Sequence, residues 1–187
     1  MDTDLTDYDT AVGTDAGNTA HEATPGVVHA FLLGDLVPFP SVVFPLVLDD
    51  EQERKFFEVA QEAGGYVAFF NREVFEAEGG RRIGVIARML KTFRLPDGRT
   101  SVVVQCYRRV EFVRKVRVKP FLIAKVSYPR DLVSDAASIE ATRRQVKNKL
   151  EELVKSHPSI PEEMQLAAVN IEEPARLADF VGQNFVR

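Results

Sequence analysis

The sequence predicts an α+β fold in which a β-rich lobe of about six strands with one helix precedes a small all-helical lobe. Two long runs of alternating apolar and polar residues lie between residues 82 and 113 and are joined by Leu95-Pro96-Asp97-Gly98. Shorter β-like runs flank them, and helical spacing replaces the two-residue period after Pro129. An isolated hairpin is marginal in water, so the other β segments should pack around this one.

The predicted hairpin places one set of side chains on each face of a pleated ribbon. Its apolar set is Ile83, Val85, Ala87, Met89 and Phe93 on the first strand, and Val102, Val104, Cys106, Val110 and Phe112 on the second. Pro96 presets the φ angle of the turn, and Gly98 supplies the positive φ that closes it.

Two short strands are predicted before the hairpin, around residues 27–33 and 42–48. A proline-rich elbow, Val37-Pro38-Phe39-Pro40, joins them, because proline cannot continue a central strand. Asp49 with Gln52 three residues on predicts a helix start, and Gly64-Gly65 its end. Residues 66–70 form a compact apolar strand, and Asn71 to Gly80 is predicted to be a loop.

The segment from Val116 to Tyr128 is predicted to be one further strand. Ser134 or Ser138 then caps a helix, and two more helices begin near Pro161 and Pro174. The domain prediction is a tail over 1–26, a β lobe over 27–130 and a helical lobe over 131–187. The last helix has no stop signal before Arg187, so we expect the chain to be truncated at its carboxyl end.

Charge is distributed unevenly along the 187 residues, whose net charge is −4. Residues 1–26 contain no Lys or Arg, and their polar, aperiodic composition predicts a disordered acidic tail. The acids of this segment are Asp2, Asp4, Asp7, Asp9, Asp15 and Glu22. No signal peptide or membrane-length apolar run is present, and a single cysteine excludes an internal disulfide, which predicts a cytoplasmic location.

The sequence contains few residues suited to catalysis. It has no glycine-rich phosphate-binding loop, and His21, His29 and His157 lack metal-ligand spacing. Cys106 has no visible histidine partner and is interpreted as a small buried residue. We therefore predict no catalytic residue, no metal site and no cofactor site in this chain.

Ten basic residues between Arg88 and Lys119 stand against only Asp97 and Glu111. Such a basic hairpin could bind nucleic-acid phosphates. It could equally be the solvent face of long strands, where basic residues discourage pairing between edges. Phe93 and Tyr107 are too few aromatics for a stacking platform, so the second interpretation is favoured.

Several segments in order resemble the amino-terminal domain of the ATP-dependent Lon protease family. They are the elbow with Phe44-Pro45-Leu46, the capped helix, Ile83-Gly84-Val85-Ile86-Ala87-Arg88, the hairpin turn, Arg108-Arg109-Val110, and Glu173-Pro174-Ala175-Arg176-Leu177-Ala178-Asp179. The resemblance covers about Val28 to Arg187. One departure is Phe39-Pro40-Ser41, where the family usually has Phe-Pro-Gly.

The resemblance implies a PUA-like β lobe and a module that recognises unfolded or tagged proteins for an ATP-dependent serine protease. It also implies a hexamer in the complete protein, with ATP and Mg bound only by an ATPase domain outside this chain. The fragment alone would be a monomer or weak dimer. Two alternatives are a stand-alone adaptor of the same fold without proteolysis and, less favoured, a nucleic-acid-binding domain.

Binding of unfolded protein requires exposed apolar surface that tolerates many sequences. The elbow and the hairpin end offer such residues in stiff segments, which hold side chains exposed at low entropic cost. The predicted substrate-binding residues are Phe39, Pro40, Phe44, Pro45, Phe93 and Leu95.

Overall fold

The computed structural model of the protein describes residues 24–132, 135–157 and 160–185. Most of the predicted acidic tail, together with Ser134 and Arg187, lies outside these residues. The strands are β1 (Val27–Leu33), β2 (Val43–Leu48), β3 (Tyr66–Asn71), β4 (Ile83–Arg94), β5 (Thr100–Arg117) and β6 (Ile123–Ser127). The helices are α1 (Glu51–Glu62), α2 (Arg72–Glu76), α3 (Ala136–Ser156), α4 (Glu162–Val169) and α5 (Pro174–Phe185). These elements confirm the predicted α+β fold.

The six strands form one sheet in the order β2-β5-β4-β3-β1-β6, and β6 also pairs with β5. The β1–β3 pair is parallel and the other pairs are antiparallel. Since β5 is 18 residues long, its first part pairs with β2 and its last part with β6. The sheet thus closes on itself, while β2 remains an edge strand among the described elements.

The predicted hairpin between β4 and β5 is confirmed. The Leu95 amide donates to the Arg99 carbonyl at 2.8 Å, and the Gly98 amide donates to the Leu95 carbonyl at 3.0 Å. Gly98 has a φ of 85°, which a residue with a β-carbon rarely adopts. The turn therefore forms as its sequence predicts.

Two apolar cores lie on opposite faces of the sheet. The first packs α1 on the sheet through Phe56, Phe57, Phe69, Val102 and Val104. The second surrounds the short helix α2 and contains Phe70, Phe75, Ile86, Val110 and Val126. The central strands are therefore buried on both faces, which a two-residue alternation alone did not indicate.

The predicted start of α1 is wrong by one residue. Asp50 is the N-cap, and its Oδ1 accepts from the Glu53 amide at 2.8 Å. Glu53 Oε2 in turn accepts from the Asp49 amide at 2.8 Å. The side-chain cap thus lies one position later than the predicted Asp49 and Gln52, and Glu53 reaches back to the residue before the N-cap rather than to the N-cap amide of a strict capping box.

The predicted loop at Asn71 to Gly80 contains helix α2. The Asn71 side chain accepts from the Val74 amide at 3.1 Å and so caps the helix. Phe75 is buried against the rings of Phe70 and Phe112. One apolar residue anchors this single turn, so the polar composition around it concealed the helix.

Two further boundaries differ from the prediction. The single strand expected over Val116–Tyr128 is two strands, because β5 ends at Arg117 and the connection contains Pro120, which lacks an N–H. Helix α3 is capped by Asp135, whose side chain accepts from the Ala137 amide at 3.0 Å, and not by Ser138.

The helical lobe packs around Leu150, Ala168 and Leu177, one residue from each helix. Helix α5 also contacts the β lobe, because the buried Asp179 carboxylate accepts a hydrogen bond from the Arg109 guanidinium of β5. No helix in the described ranges is long and apolar enough to cross a membrane.

Candidate functional site

The elbow between β1 and β2, residues 34–42, is fixed to the sheet by backbone hydrogen bonds. The Ser41 amide donates to the Cys106 carbonyl at 3.0 Å, and the Cys106 amide donates to the Val42 carbonyl at 2.8 Å. Ser41 has a φ of 67°, a left-handed conformation that favours glycine. Glycine would therefore be less strained than serine at this position.

Phe39 joins the elbow to the helical lobe. The ring lies against Gly182 of α5, where a β-carbon would stand 2.7 Å from the ring Cε1. Only glycine permits this approach without displacing the ring. Phe39 is half-buried, so part of its surface serves interlobe packing.

Three neighbouring strands present apolar residues on one face near the hairpin end. Val47 and Phe93 are the register partners of Ser101 from opposite sides, and Pro45 is the partner of Val103. Paired residues of antiparallel strands share a face. The hairpin-end strip consists of Val43, Pro45, Val47, Phe93 and Val103.

The hairpin-end strip is accessible to a ligand. Val43 is 53% exposed and Phe93 is 37% exposed. Pro45 is exposed, while Val47 and Val103 are half-buried. The strip therefore presents exposed and half-buried apolar side chains on paired strands, with the buried Ser101 between Val47 and Phe93.

The six predicted binding residues occupy three places. Pro45 and Phe93 belong to the hairpin-end strip, and Leu95 is half-buried in the turn beside it. Phe44 points to the other face, where its ring centroid lies 6.0 Å from that of Phe69 in the α1 core. Phe39 and Pro40 are half-buried in the elbow. The role of all six in binding stays a prediction.

Sequence reasoning missed Val43, Val47 and Val103 as surface residues. The available signal was the alternation in β2, where Val43, Pro45 and Val47 alternate with the inward-facing Phe44 and Leu46. The continuous apolar run around Pro45 concealed that alternation. The pairing partner, which only the tertiary structure supplies, determines which set faces solvent.

A groove of about 560 Å³ lies between α1 and the hairpin end. Its lining includes Arg54 and Glu58 from α1 and Thr92, Phe93 and Arg94 from β4. Phe93 therefore borders both the hairpin-end strip and this groove. Charges of both signs line the groove, so it suits polar parts of a ligand more than an apolar side chain.

The ion pair between Arg109 of β5 and Asp179 of α5 contains a buried carboxylate. Burial raises the pKa of Asp179 above its ordinary value, against the opposing effect of the Arg109 guanidinium. Asp179 is only 6% exposed. The free-energy cost of removing its charged carboxylate from water is larger than the electrostatic stabilisation that the partly hydrated Arg109 provides. The pair fixes α5 close to β5 and the elbow.

The described residues contain no group of three or more His, Cys, Asp or Glu that could hold a metal ion. Burial raises the pKa of Cys106 to about 12. The thiolate, not the thiol, is the nucleophile, so Cys106 is a core residue in this fold.

The described residues thus form a closed six-stranded sheet that carries an apolar strip at the hairpin end and a helical lobe docked through α5. The sequence model of the "ATP-dependent protease La (LON) substrate-binding domain" matches residues 27–186. The chain belongs to this family.

Curated relatives show the same relationship. The Lon protease of Cytophaga hutchinsonii is 30% identical over 171 residues, which cover 87% of this chain and 21% of that protein. Lon protease 2 of Herpetosiphon aurantiacus is 31% identical over 150 residues, which cover 78% of this chain and 18% of that protein. The chain thus spans about one fifth of the length of these relatives.

Solved structures share the fold. The N-terminal domain of a Mycobacterium avium complex Lon protease superposes with a TM-score of 0.70 at 22% identity, covering 85% of this chain and 83% of that one. A Lon N-terminal domain protein from Xanthomonas campestris gives a TM-score of 0.52 at 15% identity, covering 81% of this chain and 94% of that one.

Proposed function

We propose that the chain is the substrate-recognition and assembly module of an ATP-dependent serine protease that degrades misfolded and regulatory proteins. In this proposal it binds unfolded or tagged polypeptide through the hairpin-end strip, extended by the elbow. The observation that carries the proposal is the exposed apolar strip itself, with Val43 and Phe93 accessible on paired strands.

The physical argument concerns what unfolded chains have in common. They offer scattered apolar side chains and an extended backbone, so a receptor needs apolar surface without strict shape selection. The strip provides that surface next to β2, an edge strand among the described elements. Because the strip lies on hydrogen-bonded strands, little entropy is lost when a ligand binds.

The partners and surroundings follow from the family and remain part of the proposal. The complete protein would be a cytoplasmic hexamer, and this chain alone would be a monomer or weak dimer. The sequence lacks the Gly-x-x-x-x-Gly-Lys-Ser/Thr loop that cradles phosphates. We therefore assign ATP and Mg, and the proteolytic serine, to other parts of a longer protein.

Binding to a permanently unfolded probe, reduced and carboxymethylated α-lactalbumin, tests the proposal. The double variant V43S/F93S should weaken binding at least tenfold with an unfolding midpoint close to that of the parent chain. The matched control is Leu166→Ser on α4, since Leu166 is also exposed, at 63%. Equal affinities for V43S/F93S and the control would contradict the proposal.

We also propose that the chain divides at residue 130 into a β lobe over 27–130 and a helical lobe over 131–187. Contacts through Asp179 and Phe39 hold α5 on the β lobe. We therefore expect a protease to cut the chain segment that connects the two lobes and not the residues packed between them. Limited proteolysis should cut residues 1–26 first and then the segments 77–80 or 129–135. Early cleavage within β4 or β5 would contradict this division.

A further inference from the structure

Five cations crowd the β5–β6 hairpin, on the part of the sheet that closes the barrel. Arg114 and Lys125 are register partners, so their side chains lie directly opposite each other. Arg117 follows on β5, and the exposed Lys119 lies in the connection. The cationic hairpin consists of Arg114, Lys115, Arg117, Lys119 and Lys125, all of them exposed.

This arrangement costs stability, because like charges directly opposite on paired strands repel. Elsewhere the described residues compensate such charge: Arg81 pairs with Glu111 at 2.7 Å and Arg99 with Asp97 at 2.7 Å. None of the five cations of the cationic hairpin forms an ion pair with a described carboxylate. An anionic partner would remove this repulsion.

The chain carries an anionic segment that joins the fold beside these strands. Residues 1–26 contain six acids and no Lys or Arg. Val27, which follows them directly, is the register partner of Lys125. The Val126 amide donates to the Gly26 carbonyl at 2.9 Å, and the Tyr128 hydroxyl donates to the Pro25 carbonyl at 2.7 Å. The acidic segment is thus tethered next to β6.

We propose that the cationic hairpin is a binding surface for acidic polypeptide and that the chain's own residues 2–22 are its occupant. Six carboxylates face five cations, so the charges nearly balance. The tether makes the encounter intramolecular, with an effective concentration in the millimolar range for a short flexible linker. A segment of this length extends to roughly 70 Å, so it reaches every cation of the hairpin.

The chemistry of the cationic hairpin favours a peptide over a nucleic acid. The exposed apolar residues beside the cations are Val113 and Val118, and neither offers an aromatic face on which a base could stack. Aliphatic side chains suit the alanines, threonines and leucine of the acidic segment. This inference does not depend on the hairpin-end strip, which lies at the other end of β5.

Fluorescence anisotropy of a labelled peptide with the sequence of residues 1–24 tests the inference in the full chain. The receptor carries amides at the six acids (Asp2, Asp4, Asp7, Asp9 and Asp15 to Asn, Glu22 to Gln), so its own segment does not compete. We expect at least tenfold tighter peptide binding to this receptor than to the parent chain. Raising NaCl from 50 to 300 mM should weaken binding at least tenfold.

Charge reversal locates the surface. In the amide receptor, R114E/K125E should weaken peptide binding at least tenfold, and R117E/K119E provides a second test if the first variant fails to fold. The control with an equal charge change is K149E/R176E in the helical lobe, which should change affinity less than twofold. Equal binding by the hairpin variants and the control would overturn the inference.

Two other outcomes would also overturn it. The first is identical peptide affinity for the parent chain and the amide receptor, which would show that residues 2–22 do not occupy the surface. The second is tighter binding of a 20-residue oligo-dT than of the peptide, lost in R114E/K125E, which would assign the surface to nucleic acid.

Discussion

Gly182 of α5 lies so close to Phe39 of the elbow that a β-carbon on the glycine would stand 2.7 Å from the ring. Alanine stabilises a helix interior by about 1 kcal/mol relative to glycine, but here it must displace the ring, and such overpacking costs about 1–3 kcal/mol. We expect Gly182→Ala to lower the free energy of unfolding by about 1 kcal/mol. Urea unfolding measures this change.

A second variant separates that contact from a general effect on α5. In a Phe39→Ala background the space beside Gly182 is free, so Gly182→Ala should raise stability by up to about 1 kcal/mol. A sign change between the two backgrounds is the expected result of this double-mutant cycle. The same destabilisation in both would show that Phe39 does not constrain Gly182.

Ser41→Gly should stabilise the chain. The left-handed conformation of Ser41, with its φ of 67°, costs a residue with a β-carbon about 1–2 kcal/mol. Glycine avoids that cost but gains entropy in the unfolded state, so the net gain should be below about 1 kcal/mol. Ser127→Gly in β6 is the control, since this strand residue has ordinary φ and should lose stability. A loss at both positions would refute the account of the elbow.

The sequence was sufficient where one local signal determines the structure. The hairpin could be predicted without knowledge of distant residues. Its turn contains proline and glycine, with Gly98 at positive φ, and a period of two continues on either side. The α+β class followed from the change of period after Pro129. The same local reasoning suggested the elbow and the hairpin end as candidate surfaces.

The remaining features depend on contacts between residues far apart in the chain. Burial of Ile86 and Phe75 in a second core arises because the sheet closes through β5 and β6, which no period reveals. Phe44 and Pro45 are adjacent, yet pairing with β5 directs one to the core and the other to the surface. The predicted start of α1 was one residue early because the adjacent Asp49 and Asp50 are both suitable N-cap residues, and helix boundaries are commonly uncertain by one or two residues.

Arg109→Gln should destabilise the chain more at pH 7 than at pH 4. The pKa of Asp179 is raised by burial, so the folded state holds the proton more tightly, and the stability contributed by this group falls as pH rises through its folded pKa. Without the guanidinium, the buried carboxylate has no cation at pH 7. We expect a loss of about 2 kcal/mol there, less than for a fully buried pair because Arg109 is partly hydrated.

Urea unfolding at pH 7 and pH 4 measures this difference. Because the pKa of Asp179 is raised, a larger fraction of this carboxyl is protonated at pH 4 than at pH 7, so the penalty of Arg109→Gln should shrink. Asp179→Asn is the control, because removing the charge should make Arg109→Gln nearly independent of pH. An equal penalty at both pH values would contradict the assignment of a buried acid between the lobes.

His29→Phe should stabilise the chain, and increasingly so in acid. Burial and then the charge of Arg117 lower the pKa of His29. The neutral His29 therefore makes its full contribution to the free energy of unfolding above the ordinary histidine pKa of about 6.5. That contribution is lost as the pH falls toward the lower pKa that His29 has in the folded state. At pH 7 the gain should be about 1 kcal/mol, since His29 Nε2 is buried without a hydrogen-bond partner among the described residues.

Phenylalanine at position 29 also keeps the edge contact with Phe56, whose ring centroid lies 5.8 Å away. Thermal unfolding from pH 7 to pH 5 measures the effect, with His157→Gln at an exposed helix end as the control. A gain that stays constant across this range would contradict a lowered pKa of His29 in the folded state.

Site-specific photocrosslinking is the most direct test of binding through the hairpin-end strip. Benzoylphenylalanine placed at Val43, and in separate chains at Val59 of α1 and Leu166 of α4, compares three positions that are all exposed. With carboxymethylated α-lactalbumin as the probe, we predict adducts at position 43 in large excess over positions 59 and 166. Equal adduct yields at the three positions, or none at position 43, would contradict the proposed binding surface.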